Sequence, residues 1–295
     1  MTTRRDLLRL SALATAAGCT LSLSRGAFSQ TSQTSQTHAD GLIYGVQMYT
    51  VRQQAPQDLA GVLREIHRVG YTQIEVSPLV YAPPAAELKR IVADSGLGMV
   101  SGHFDYESFA EKIPYARQLG LKFMCCPMIP PAQRTSLEGF RKAAEDFNRW
   151  GHRVREEGME LVFHNLDYEF KPQEGSTGWE TLMEHTDPKL VKLEFDIYWL
   201  VQGGQDPYAM LLKYPDRVRL LHLKDRTPGA KANYDTDHSA GTFTELGKGT
   251  IDWPKLLAQG KQQGIRYAFV DQDETREPIY RSLEENYAYL KKLNL

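Results

Sequence analysis

The sequence predicts an α/β fold of one kind, a closed (β/α)8 TIM barrel. Three observations point there. Apolar runs of strand length alternate with amphipathic helical segments eight times after Leu42. Glycines recur where a helix would end and a strand begin. Histidines, acids and a lysine gather where the apolar runs stop. Eight βα units in about 250 residues is the count for a closed barrel, whose strand carboxyl ends share one face, the face that carries chemistry.

The strands are expected at 43–49, 72–77, 97–102, 121–126, 160–164, 191–196, 218–224 and 267–271. The helices are expected at 57–69, 84–95, 106–118, 134–157, 178–185, 206–214, 253–262 and 278–293. In the first of them Leu59, Val62, Leu63, Ile66 and Val69 recur at helical spacing. Gly70, Gly96, Gly120, Gly158 and Gly264 each follow a helix and precede a strand, the place of a left-handed C-cap. The competing architecture is an open doubly wound sheet. It would bring a Gly-rich phosphate loop after its first strand, and Gly45-Val46-Gln47-Met48-Tyr49 is not one.

Ahead of the barrel the chain reads as an address. Arg4-Arg5 precedes an apolar, Ala-rich segment, and Ala27-Phe28-Ser29 offers small residues for a signal peptidase. Residues 1–29 therefore read as a Tat-type signal peptide, which predicts an exported, periplasmic protein. The segment is too short and too rich in Ser and Thr for a good membrane span. Ala16-Ala17-Gly18-Cys19 is a weak lipobox, so a lipid anchor at Cys19 is the alternative ending of the leader. Residues 30–41 repeat Gln-Thr-Ser and read as a flexible polar linker, leaving 42–295 as a single TIM-barrel domain.

Composition narrows the function. The 295 residues are 41% hydrophobic and 24% charged, with a formal net charge of −2. A nucleic-acid partner would want a basic balance, so none is expected. Three cysteines without a Cys-x-x-Cys spacing provide neither a disulfide scaffold nor a zinc motif, and Cys125-Cys126 at the end of an apolar run read as buried thiols.

The strand ends supply the candidates. Glu75 ends the second strand and His103 follows the third. His164 ends the fifth, Asp196 the sixth, His222 with Lys224 and Asp225 the seventh, and Asp271 with Asp273 the eighth. Histidine nitrogens mixed with carboxylate oxygens suit Mn²⁺, Co²⁺, Mg²⁺ or Zn²⁺. Each residue has a structural reading as well. Asp196 could cap a loop, His222 could be a core histidine, Glu75 and His103 could be hydrogen-bond partners, and Asp271 could pair with Lys224. Lys224 is either a ligand for substrate oxygen or a counter-ion. Tyr198 and Trp199 either wall a sugar site or fill a loop core.

Five motifs then carry a resemblance: Phe163-His164-Asn165, Phe195-Asp196-Ile197-Tyr198-Trp199, Leu221-His222-Leu223-Lys224-Asp225, Glu245-Leu246-Gly247-Lys248-Gly249-Thr250-Ile251-Asp252-Trp253 and Asp271-Gln272-Asp273. Over roughly residues 42–295 the chain resembles the sugar phosphate isomerase/epimerase family, the xylose-isomerase-like TIM barrels. The resemblance implies a divalent metal held by strands five to eight. Asp196 and His222 match the family's aspartate and histidine, and Asp271 stands where glutamate is usual. The fifth strand departs, offering Val162 and His164 where many members have glutamate, with no acid until Asp167 and Glu169.

The expected metal set is His164, Asp196, His222 and Asp271. His164, Asp271 and Glu75 are expected to do the proton work, and His103, Trp199 and Lys224 to bind substrate. The expected reaction is metal-assisted proton abstraction next to a carbonyl of a non-phosphorylated sugar or sugar derivative, as in an isomerase or epimerase. A lyase or dehydratase acting on keto-sugar glycosides, and a non-catalytic periplasmic sugar-binding protein, are the alternatives. Homo-oligomerisation is left open by the sequence.

Overall fold

The computed structural model describes residues 41–236 and 241–295. The expected leader, Cys19 and all but the last residue of the linker lie outside the described residues. Asp40–Leu295 forms one compact unit. Its centre is a closed barrel of eight parallel strands: β1 (Ile43–Gln47), β2 (Gln73–Val76), β3 (Gly98–His103), β4 (Phe123–Cys126), β5 (Glu160–His164), β6 (Val191–Asp196), β7 (Val218–Leu223) and β8 (Tyr267–Val270). The barrel closes where β1 pairs with β8, Ile43 opposite Tyr267 and Val46 opposite Val270.

Alternation along the strands sorts the interior into layers. Phe123, Cys125, Val162, Leu220 and Phe269 fill the middle of the barrel as an apolar cluster of their own. Gly45 belongs to that packing, since a Cβ there would meet the Phe269 ring at 2.6 Å. Two residues further along β5, β7 and β8 come His164, His222 and Asp271. The interior face thus turns from apolar to charged toward the carboxyl ends. Register shifts next to Glu75 on β2 and Glu194 on β6 fall in this upper layer, as bulges beside functional sites commonly do.

The helices cover the outside and build the main core against the strands. They are α1 (Leu59–Val69), α2 (Ala85–Asp94), α3 (Phe109–Leu119), α4 (Leu137–Glu156), α5 (Gly178–His185), α6 (Ile197–Gln202), α7 (Pro207–Lys213), α8 (Trp253–Gln262) and α9 (Ile279–Leu293). α1 shows the local logic: Asp58 accepts from Gly61 N at its start, and Gly70, at φ 118°, ends it. α6 has no counterpart in the sequence reading. Six residues are too few to show a period, and all but Val201 are buried or capped by the strand-end Asp196. No helix among the described residues is long and apolar enough to cross a membrane. Cys125 and Cys126 are free and buried, as read from the sequence.

Candidate active site at the barrel mouth

A cavity of about 290 Å³ opens at the carboxyl ends of the strands. Its polar lining includes Gln47, His103, Asp105, His164, Lys224, Asp271 and Asp273. A second cavity, of about 260 Å³, lies at the other end against Leu42, Tyr44 and Tyr287 and is lined by no Asp, Glu or His. Imidazoles and carboxylates line the mouth together, on the face where barrel geometry places chemistry.

The acids and histidines converge on His222, which is fully buried. Its Nε2 donates to Glu75 Oε2 at 2.6 Å and lies 3.3 Å from Glu194 Oε1. Its Nδ1 lies 3.2 Å from Asp271 Oδ2 and 3.7 Å from Asp196 Oδ2. His222 thus divides the carboxylates into two groups. The inner group is Glu75, His103, Glu194 and His222; the outer is His164, Asp196, His222 and Asp271. In each, one ligand atom from every member lies within 4.8 Å of the others, a spacing that could hold a metal ion.

Each group keeps one buried carboxylate oxygen without a hydrogen bond, Glu194 Oε1 in the inner and Asp271 Oδ1 in the outer, and they differ in access to the cavity. In the inner one, Glu75 takes Gln47 Nε2 at 2.7 Å, Ser101 Oγ at 2.5 Å and both histidines. His103 Nε2 lies 3.2 Å from Glu194 Oε2 as well. Glu75 does not line the cavity and stands behind His103, which does. In the outer group His164 and Asp271 face the cavity, and Asp271 Oδ1 is a buried acceptor without a hydrogen bond. His164 Nε2 meets Asp196 Oδ2 at 3.2 Å. The other oxygen of Asp196 accepts from Trp199 N at 3.0 Å, so this residue caps α6 and faces the cluster at once.

Lys224 is buried at 1% exposure among three acids, 3.0 Å from Asp196, 2.6 Å from Asp271 and 2.7 Å from Asp273. It pairs as a counter-ion and also lines the cavity. Burial works against every charge here, so each shift shows whether partners outweigh it. For Lys224 the aspartates win and hold the ammonium well above its usual range. For His103 they win too: against burial, Glu75 and Glu194 raise the imidazole to about 9. Glu194 and Glu75 likewise raise His222. For His164 burial wins, and the ring is held neutral. Asp273 is pushed up to about 7 by burial and by the charge of Asp271.

The charge balance favours a cation. Glu75, Glu194, Asp196, Asp271 and Asp273 bring five carboxylates against Lys224 and, when protonated, His103 and His222. A histidine must give up its proton to bind a metal, which widens the deficit. The donor set of two imidazoles and two carboxylates, with Asp271 Oδ1 unpartnered, fits a divalent ion of the Mn²⁺, Co²⁺ or Zn²⁺ kind.

All four residues expected as ligands come together at one point. Of the others, His103, Trp199 and Lys224 line the cavity, Glu75 does not, and Tyr198 packs instead on Phe243 at 4.2 Å between ring centroids. One acid of the cluster, Glu194, was not singled out from the sequence, and Asp273, a strand-end candidate there, was given no role. Glu194 is two residues from Asp196 on the same strand, and alternation puts both on one interior face.

The segment after β7 is organised by Asp225. This buried carboxylate accepts from Arg226 N, Gly247 N, Gly249 N, Ile251 N and Trp253 Nε1. A Cβ on Gly249 would lie 2.1 Å from Asp225 Oδ1, so the turn needs glycine there. The run Gly247-Lys248-Gly249 with Asp252-Trp253 is in this way a backbone cradle around Asp225.

Known proteins place this arrangement. The family model described as xylose isomerase-like TIM barrel matches residues 63–292. An inosose dehydratase of Clostridium tetani is 31% identical over 155 residues, 47% of this chain and 49% of that protein. The chain spans about half the length of the curated relatives that it matches first. A crystal structure of a sugar phosphate isomerase/epimerase from Parabacteroides distasonis superposes with a TM-score of 0.72 at 23% identity, over 85% of this chain and 98% of that one. The IOLI protein, solved with a zinc atom bound, superposes at 0.65 with 14% identity over 86% and 96%. The barrel, the polar mouth and the match over most of its length agree: the chain belongs to the xylose isomerase-like TIM-barrel family.

Proposed function

We propose that this protein is a metal-dependent enzyme that removes the proton next to the carbonyl of a non-phosphorylated sugar derivative. The observation that carries this reading is the outer group, where His164, Asp196, His222 and Asp271 meet at the cavity floor with one carboxylate oxygen unpartnered. These four would hold the ion. When bound, it would act as a Lewis acid toward the negative charge that grows on the carbonyl oxygen. Asp105 and Asp273 line the cavity outside that group, and Asp273, which shares Lys224 with Asp196 and Asp271, is the one beside it that would take the carbon-bound proton. Lys224, at 2.7 Å, fixes its orientation. His103, anchored on Glu75 and Glu194 through Nε2, has its other nitrogen for a substrate oxygen.

The cavity lining argues against a phosphate. Among the described residues it includes no arginine, its lysine is tied to three aspartates, and Asp105, Asp271 and Asp273 add negative charge. Export through the twin-arginine leader, which we propose from the sequence alone, would separate the protein from cytoplasmic sugar phosphates.

Proton removal leads to two outcomes. Return of the proton gives an isomerase or epimerase, whereas loss of a substituent β to the carbonyl gives a lyase. The sequence relatives named inosose dehydratase support the second. Hydrogen exchange tests the step common to both. Incubated in D₂O with Mn²⁺, the protein is expected to place deuterium beside the carbonyl of methyl 3-keto-β-glucoside, and to stop doing so with a chelator or as Asp196→Asn. This variant keeps a side-chain oxygen to accept from Trp199 N. Sugar binding without exchange, indifferent to chelator, would leave a binding protein.

A further inference from the structure

The mouth of the barrel is two-sided. The acids and histidines that could hold a metal in the outer group come from β5 to β8. The opposite half, beside Gln47, Ser77, His103 and Asp105, carries an apolar rim. Among the described residues four large hydrophobic side chains are exposed, Tyr49 at 38%, Leu79 at 41%, Met128 at 42% and Leu212 at 50%. Three of the four line the same cavity, each from the loop that follows a different strand: Tyr49 after β1, Leu79 after β2 and Met128 after β4. Pro78 and Pro127 continue the surface beside them. Scattered apolar residues on a surface need no explanation, but a group gathered round one cavity marks something that binds there. A free sugar can lay a C–H face on Tyr49 but carries no apolar substituent to cover Leu79 and Met128 as well.

We propose that the β1 to β4 side of the mouth is a subsite for an apolar, planar substituent, so that the substrate is a keto-sugar glycoside with an aromatic aglycone. This rests on the carbonyl chemistry proposed above and names its substrate class. The sugar ring occupies the charged floor, and the aglycone lies over Tyr49, Leu79 and Met128. Continuity decides the occupant. The apolar rim and the polar floor line one cavity of about 290 Å³, so a single amphipathic molecule covers both, which a second copy of the chain docked on the rim would not do. Methionine suits such a surface, because its flexible thioether adapts to rings of different shape.

The geometry also gives the aglycone a chemical role. With the carbonyl at C3, the proton at C2 is the acidic one and the C1 substituent is β to the carbonyl. The C2–H bond breaks with its proton going to a carboxylate, and its electron pair forms the C1–C2 double bond. The C1–O bond breaks with its pair staying on oxygen, and the aglycone leaves as its alcohol on taking up a proton. No oxidant or reductant is needed.

The test compares phenyl and methyl 3-keto-β-glucoside with the Mn²⁺-loaded protein, following binding by calorimetry and deuterium exchange at C2 by NMR. The phenyl compound is expected to show a kcat/KM at least tenfold higher, equivalent to about 1.4 kcal/mol. In Leu79→Ser/Met128→Ser that ratio falls toward one. The ratio is internal to each protein, so a change in the folded fraction does not affect it. Equal kcat/KM for the two compounds, unaltered in the variant, would overturn the aglycone subsite and leave the carbonyl chemistry standing. Tight phenyl binding without exchange would do the opposite. A variant that changed the oligomeric state but not the ratio would assign the rim to a second copy and overturn the proposal, as would failure of both compounds to bind.

Discussion

Removing Lys224 separates two accounts of the cluster. Its ammonium is the nearest positive charge to Asp196, Asp271 and Asp273, with all three within 3.0 Å. Lys224→Met keeps most of the volume and removes the charge. Breaking a buried pair by deleting one partner costs about 3–5 kcal/mol, because the other charge is left uncompensated. In a domain of this size each kcal/mol moves the melting temperature by roughly 2–4 °C. The variant in chelator is therefore expected to melt about 6–20 °C below the wild type. Asp196 and Asp271 also belong to the outer group, so Lys224 competes with any cation bound there. A metal at a hundred times its Kd stabilises by about 2.7 kcal/mol. Without the lysine it should bind at least about tenfold tighter, adding a further ~1.4 kcal/mol. The assay is thermal unfolding of both proteins in chelator and in graded Mn²⁺. A larger Mn²⁺-induced rise in the variant is expected. A loss in chelator under about 1 kcal/mol, or the same metal response in both proteins, would refute the reasoning.

Three further outcomes follow from other parts of the structure. Glu169 is buried with its carboxylate raised to about 8 by desolvation, against 4.5 unperturbed, while Leu166 N donates to it. The folded state then holds a proton that the unfolded state has released, so stability falls as pH rises from about 4.5 to about 8 and levels off above. Glu169→Gln is expected to remove a part of that slope worth up to about 4 kcal/mol, read as urea midpoints at pH 5 and pH 8.5. Asp225→Asn replaces one acceptor oxygen among five donors with an amide that itself donates. A loss of about 2–4 kcal/mol and faster proteolysis of the segment after β7 are expected; unchanged proteolysis would show that this segment is held by other contacts. Gly249→Ala, with a Cβ 2.1 Å from Asp225 Oδ1, should destabilise by a comparable amount, and a stable variant would mean that the turn has room to shift.

How much of this was legible follows from which rule each residue obeys. The barrel was legible because its period repeats eight times, and an error in one element does not change the count. The four expected ligands were legible because each stands within one residue of the carboxyl end of an apolar run. Glu194 was not, since it lies inside the run Val191 to Phe195 and reads as an interruption of a strand. Its meaning depends on the interior face at that height being charged, and that face is assembled from strands far apart in sequence. Asp273 was visible but lies beyond the end of β8, where strand alternation does not guarantee direction. Glu75 shows the converse. Its strand-end position suggested proton transfer, yet Gln47, Ser101 and two histidines surround it and separate it from the cavity. A carboxylate bonded on all sides is suited to fixing charge on His103 and His222 rather than to meeting substrate. Sequence position says which residues reach the mouth, whereas the partners already around a side chain decide whether it remains available for chemistry.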